Sequence, residues 1–140
     1  MRKVLPIVFV FLMSLGAFAA SVSTSKIQPF PGTLANAKYV YVTSYDGSDL
    51  NWNVLPQDRE AIADVQNAIQ KWGRYIIVYS PRQADMIIAV QRRGEDVLAV
   101  YDPRQGRGST YLWRAMSHDG LQPTEMPLFS ELRQAVEGTK

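Results

Sequence analysis

The stretch from Pro56 to Trp72 constrains the fold more than any other part of the chain. Pro56 has the preset φ and the missing N–H that suit a first helical position. Asp58 and Glu60 fall near the positive end of a helix dipole, and Lys71 falls near the negative end. Ile62, Val65, Ile69 and Trp72 recur at helical spacing with Ala61 and Ala68 beside them, forming one apolar stripe. Gly73 follows as a left-handed stop. Such a stripe must be buried, and the β-rich runs on either side are its natural seat.

Upstream, Lys38 to Tyr45 alternates Tyr with Val. As a strand it places Tyr39, Tyr41, Thr43 and Tyr45 on one side and Val40, Val42 and Ser44 on the other. Asp46 to Asp49 reads as a turn and Asn51 to Asn53 as loop. Downstream, Tyr75 to Tyr79 is nearly continuously apolar, as buried strands of parallel pairs are. Strand, helix and strand make a β-α-β unit. Ser80-Pro81-Arg82-Gln83 resembles a capping box and predicts one short helical turn. Met86 to Arg92, Val97 to Tyr101 and Ser109 to Met116 follow as an antiparallel meander. Arg93 to Asp96 is a tight connection, and the turn opened by Asp102-Pro103 is closed by Gly106 and Gly108. Ser117 to Met126 is loop. Pro127 to Val136 is a last helix with Leu128, Leu132, Ala135 and Val136 on one side and Gly138 as its stop. The expected fold is α/β (α+β): a mixed five-stranded sheet, element order β-α-β-(short α)-β-β-β-α, with helices mainly on one face.

Met1-Arg2-Lys3, the uncharged apolar run Val4 to Leu15 and Ala17-Phe18-Ala19 have the layout of a signal peptide cut after Ala19. The apolar run is shorter than the ~20 residues a spanning helix needs. The expected division is 1–19 signal peptide, 20–36 flexible tether, rich in Ser, Thr, Pro and Gly, and 37–140 a single α/β domain. Ile27 and Phe30 are the tether residues able to dock. Removing Arg2 and Lys3 leaves thirteen of the fifteen basic residues, equal to the thirteen acidic ones. The basic character therefore belongs largely to the targeting segment and argues against nucleic acid as a partner. Residues 71–114 keep eight basic residues against four acidic, the one basic region available to a partner.

Three stretches carry a family resemblance: Trp72-Gly73-Arg74-Tyr75-Ile76-Ile77-Val78, a helix stop leading into an apolar strand; Ala84-Asp85-Met86-Ile87-Ile88, an Ala-Asp at the start of a strand; and Val100 to Gly106 followed by Leu112-Trp113, a hairpin whose turn begins at Asp. With the order of elements they make Lys38 to Met116 similar to small exported bacterial α/β domains of unknown function, resembling the N-terminal domain of TolB and the periplasmic domain of CsgG-type lipoproteins. The chain departs from them in having no propeller domain and no lipid-carrying Cys. The resemblance implies a non-catalytic binding or assembly role in the cell envelope and transfers no catalytic residue.

Catalytic signatures are sparse. The chain has no Cys and one His, which excludes disulfides, thiolate zinc sites and multi-His metal centres. Ser117-His118-Asp119 holds the three residue types of a hydrolase triad, but adjacent residues seldom give its geometry, and no Gly-x-Ser-x-Gly elbow is present. Asp46, Ser48 and Asp49 lack the rest of a twelve-residue calcium loop. Asp85 and Asp102 stand where caps and turns place a carboxylate rather than as the acid pair of a glycosidase. No phosphate-cradling loop occurs. No catalytic residue, metal or cofactor is expected.

The sheet face opposite the helices is the candidate surface. Tyr39, Tyr41, Tyr45, Tyr79, Tyr101, Tyr111 and Trp113, with Arg92 and Arg114 nearby, are of the types enriched at binding hot spots. Arg93, Arg104 and Arg107 lie near the same strands. The expected function is that of an exported, soluble, periplasmic or secreted, non-catalytic protein that binds an envelope protein or a glycan through this Tyr/Arg face. It keeps no stable membrane anchor after cleavage. The alternatives are a small envelope hydrolase using His118 and a homo-oligomeric structural domain whose open face pairs with its own copy.

Overall fold

A computed structural model describes residues 28–45, 54–106 and 109–139. The expected signal peptide, residues 20–27 of the tether, the 46–49 turn, the 51–53 loop and Arg107 lie outside the described residues.

Five strands and two helices form an α+β fold: β1 (Tyr39–Ser44), α1 (Pro56–Trp72), β2 (Ile76–Ile77), β3 (Met86–Gln91), β4 (Glu95–Tyr101), β5 (Trp113–His118) and α2 (Pro127–Glu137). The sheet order is β2-β1-β3-β4-β5. β1 is parallel to β2 and β3, and β3, β4 and β5 form the antiparallel meander. The order of elements matches the expectation. α1 has its expected bounds: Pro56 opens it, and Gly73, at φ 76°, donates to the Ile69 carbonyl as its left-handed stop.

Cross-strand register decides which residues share a face. Val40, Val42 and Ser44 lie beside Met86, Ile88 and Val90, which face Val100 and Leu98, which in turn face Trp113 and Ala115. This row is the core face. α1 packs Ala61, Val65 and Ile69 on it, and α2 packs Leu128, Leu132 and Val136. The helices meet where Trp72 sits edge-on to Phe129 at 5.9 Å, and Trp72 Nε1 donates to Glu137. Both helices therefore cover the same face.

Several local expectations are corrected. The 75–79 run is not a buried strand. β2 is a two-residue edge strand whose Ile76 side chain is exposed, while Tyr75 turns into the core. The centrally buried strands are β3 and β4, which have neighbours on both sides. Ser80 makes no side-chain cap; Pro81–Gln83 is a 3-10 turn closed by Gln83 N–H to the Ser80 carbonyl. The last strand begins at Trp113 rather than Ser109. Gly138 ends α2 at an ordinary φ of −75°, so no left-handed residue is needed there.

The expected tether is ordered from residue 28 onward. Phe30 and Leu34 are buried in the core, and the Gln28 carbonyl accepts from Trp113 Nε1 at 3.0 Å. The reason is supply: two apolar side chains and a carbonyl acceptor complete a core that two helices leave open at one end. This segment packs on the helix side of the sheet, and among the described residues no helix lies over the tyrosine face.

A buried polar network ties α1 to the meander. Asp58 Oδ1 accepts from Arg92 N–H at 2.9 Å and Oδ2 from Arg93 Nη2 at 3.0 Å. Asp96 accepts from Arg93 N–H and Leu121 N–H. Arg92 donates to the Leu121 carbonyl and to Asp64. Every one of these contacts joins segments distant in sequence or closes the β3–β4 turn.

At the other end of β1, Asp85 Oδ2 accepts from the Lys38 and Tyr39 N–H groups at 2.9 and 3.0 Å. Those hydrogen bonds, from Tyr39 and then Lys38, hold the Asp85 carboxyl below its ordinary value. A depressed native pKa means stability that is present above the unfolded value of about 3.9 and lost as pH falls through the native one. Asp85→Ala is expected to cost about 1 kcal/mol at neutral pH, the exposed carboxylate being screened by water. Urea titrations of both proteins should converge as pH falls below the unfolded carboxyl value and through the native one; a constant gap across pH would contradict the assignment.

Candidate functional site

The face opposite the helices is built in rows. Tyr41 lies beside Ile87, which lies beside Tyr101. Thr43, Ala89, Ala99 and Arg114 make the next row, and Val97 pairs with Met116 beyond it. Tyr39 pairs with Ile76 at the β2 edge. Ala99 is 0% and Ala89 3% exposed although no helix covers them. Their cover is made of side chains. Arg114 on β5 and Tyr45 at the end of β1 stand three strand spacings apart, about 14 Å, yet Arg114 Nη1 donates to Tyr45 Oη at 3.2 Å. Two long side chains span the sheet diagonally and meet, crossing between the Ala89–Ala99 row and the Gln91–Val97 row.

Arg114 is held on a second side. Its guanidinium lies over the Tyr111 ring at 4.3 Å, a stacking that suits the planar, weakly hydrated group. The hydrogen bond to Tyr45 favours its charged form. Burial, and after it the neighbouring Tyr45, pushes the Tyr101 phenol above its ordinary value, so Tyr101 stays a neutral donor. The cluster of Tyr45, Tyr101, Tyr111 and Arg114 is thus a fixed cation in a frame of tyrosine rings.

Not every expected residue joins this cluster. Tyr41 flanks it on the same face. Tyr39 is on the face but at its edge, with the Lys38 ammonium 5.6 Å from its ring. Tyr79 lies past the end of β2 and is 77% exposed. Trp113 is corrected: it faces Val100 on the helix side and is 0% exposed. Trp113 and Arg114 are adjacent strand residues and so point to opposite faces. Arg92 is corrected too: it is buried in the ion network with Asp64 and belongs to the scaffold. Of the other arginines near the strands, Arg93 pairs with Asp58 and Arg104 with Asp102.

The alternation that removes Trp113 also puts Ser117 and His118 on opposite faces. Ser117 faces Asp96 on the core side, where its Oγ is buried without a hydrogen-bond partner, whereas His118 faces Glu95 on the open side. His118 Nε2 lies 3.4 Å from Asp119, with a side chain 79% exposed. Ser117 therefore cannot act with His118. Among the described residues no three His, Cys, Asp or Glu side chains group as a metal site. No helix among them is long and apolar enough to cross a membrane. Asp102 serves its own turn, accepting from Arg104 N–H and Nε, and that side-chain bond lowers its pKa.

Sequence reasoning missed Ala89 and Ala99, whose smallness admits the Arg114–Tyr45 bridge. A strand with Ala at the open-face positions between tyrosine rows was the available signal. The comparisons add no relative to this geometry. No family model, curated protein or solved structure matches the chain.

Proposed function

We propose that this is an exported, non-catalytic envelope protein whose α/β domain binds a partner through the Tyr/Arg sheet face. The observation that carries the reading is the Arg114–Tyr45 bridge over Ala89 and Ala99, stacked on Tyr111. Ordering long side chains costs conformational entropy, and a surface with its aromatic and cationic groups already ordered binds with less further loss. Both helices and residues 28–37 pack on the opposite side, so none of these described elements lies over this face. The signal-like segment, the charge balance that follows its removal and the envelope role implied by the TolB-like and CsgG-like resemblance support the location. The exported form is expected to begin at Ala20.

Site-specific cross-linking tests the reading. A benzophenone amino acid replaces Tyr101 on the face, or Glu131 on α2, in the full chain expressed in its own cells. Benzophenone inserts into C–H bonds of proteins and sugars alike. The expected result is a cross-linked species from position 101 in the exported fraction and none from 131. Equal products from both positions, or none from 101, would refute a role for this face.

A further inference from the structure

We infer that the Arg114 guanidinium is an anchoring point for the carboxylates of an acidic polysaccharide laid across the tyrosine face. This rests on the binding role proposed above and names the class of partner. Four arginines of the domain are matched to carboxylates: Arg92 to Asp64, Arg93 to Asp58, Arg104 to Asp102 and Arg133 to Glu137. Arg114 is matched to none among the described residues. Its contacts are a phenol oxygen and a ring face. A guanidinium has five N–H donors in a rigid fork suited to a carboxylate, and one of them serves Tyr45.

The surroundings select the rest of the ligand. Tyr41, Tyr101 and Tyr111 are half-buried, each offering an apolar ring and a polar tip. A sugar ring has the complementary make-up, with C–H faces and hydroxyl edges. Protein hot spots instead fill well-packed, fully desolvated pockets near the centre of a contact. Here the centre is alanine sealed under the bridge, and the exposed Tyr39, Ile76 and Met116 lie toward the margins. Lys38 lies at one end of the face, and Glu95 faces His118 at the other. Arg114 is the central charge, and an anionic chain is drawn to it.

The test is calorimetric titration of the mature full chain with a galacturonate oligomer, the same oligomer with its carboxyls reduced to alcohols, and poly-L-glutamate. The galacturonate oligomer should bind, more weakly as salt rises. Affinity should fall about tenfold or more on carboxyl reduction and in Arg114→Gln, and less in Arg114→Lys, which keeps the charge but not the fork. Tyr111→Leu, which removes the stacking face and leaves the charge, should lose affinity as well. Polyglutamate should bind more weakly than galacturonate. Undiminished affinity for the reduced oligomer or in Arg114→Gln overturns the inference. Tighter polyglutamate binding overturns it in favour of an acidic peptide. If none of the probes binds while position 101 still cross-links in cells, this inference fails alone; if cross-linking is absent too, the broader reading fails with it.

Discussion

Asp58→Ala is expected to destabilise the fold by about 3–5 kcal/mol, the cost of removing one member of a buried ionic network. Asp58 is 0% exposed and accepts from the Arg92 N–H and from the Arg93 guanidinium. The variant leaves the Arg92 N–H buried without that acceptor, a loss of about 1–3 kcal/mol by itself, and takes a counter-charge from the cations at the β3–β4 turn. Against a total stability of about 5–15 kcal/mol for a domain, this is a large fraction. Asp58→Asn retains an acceptor oxygen and should cost less. Asp64→Ala, whose side chain is 30% exposed at the rim of the same network, should cost least. Urea unfolding of the three variants checks the order. A loss under 1 kcal/mol for Asp58→Ala would mean that the turn is held by other contacts.

Trp113→Ala is expected to cost about 3–5 kcal/mol through the cavity left by a large core side chain. Trp113 is fully buried in the core that includes Phe30 and Leu34, and its indole N–H satisfies the Gln28 carbonyl. Loss of the ring removes one of the contacts that hold residues 28–34 against the sheet. Amide exchange at Leu34, whose N–H donates to the Pro31 carbonyl, should therefore accelerate more than exchange in α2. Trp113→Phe keeps most of the packing and should cost less. A Trp113→Ala protein of full stability and altered partner binding would instead put the indole on the open face. For that reason Trp113 is no use as a binding-site probe, and Tyr111 and Arg114 are.

Much of the scaffold was readable because its signals are local. Pro56, the Ala61–Val65–Ile69 stripe and Gly73 each act within a turn or two of helix, and α1 has the bounds they imply. The Tyr/Val alternation of β1 states its two faces directly. The same parity, carried further, also marks the buried acids. Asp58 continues the α1 stripe below Ala61, and Asp96 continues the Leu98–Val100 side of β4. Arg92 continues the Met86–Ile88–Val90 side of β3. Charge made them look like surface residues, but period placed them inside.

Side chains next to a strand boundary behaved differently. Whether Tyr111 and Trp113 share a face depends on where β5 begins, and a shift of one residue reverses every side chain. The pairing of Val100 with Trp113, not any feature of Ser109 to Met116, sets that start.

The amino-acid sequence by itself determined the order of elements, the helix and its ends, and the two-sided dress of β1, because propensity, capping and alternation operate over neighbouring residues. Tertiary structure alone decided that residues 28–37 join the core, that Arg92 serves the scaffold, and that Arg114 reaches Tyr45 across two alanines. Those outcomes depend on contacts between residues tens of positions apart, which only the assembled sheet brings within hydrogen-bond distance.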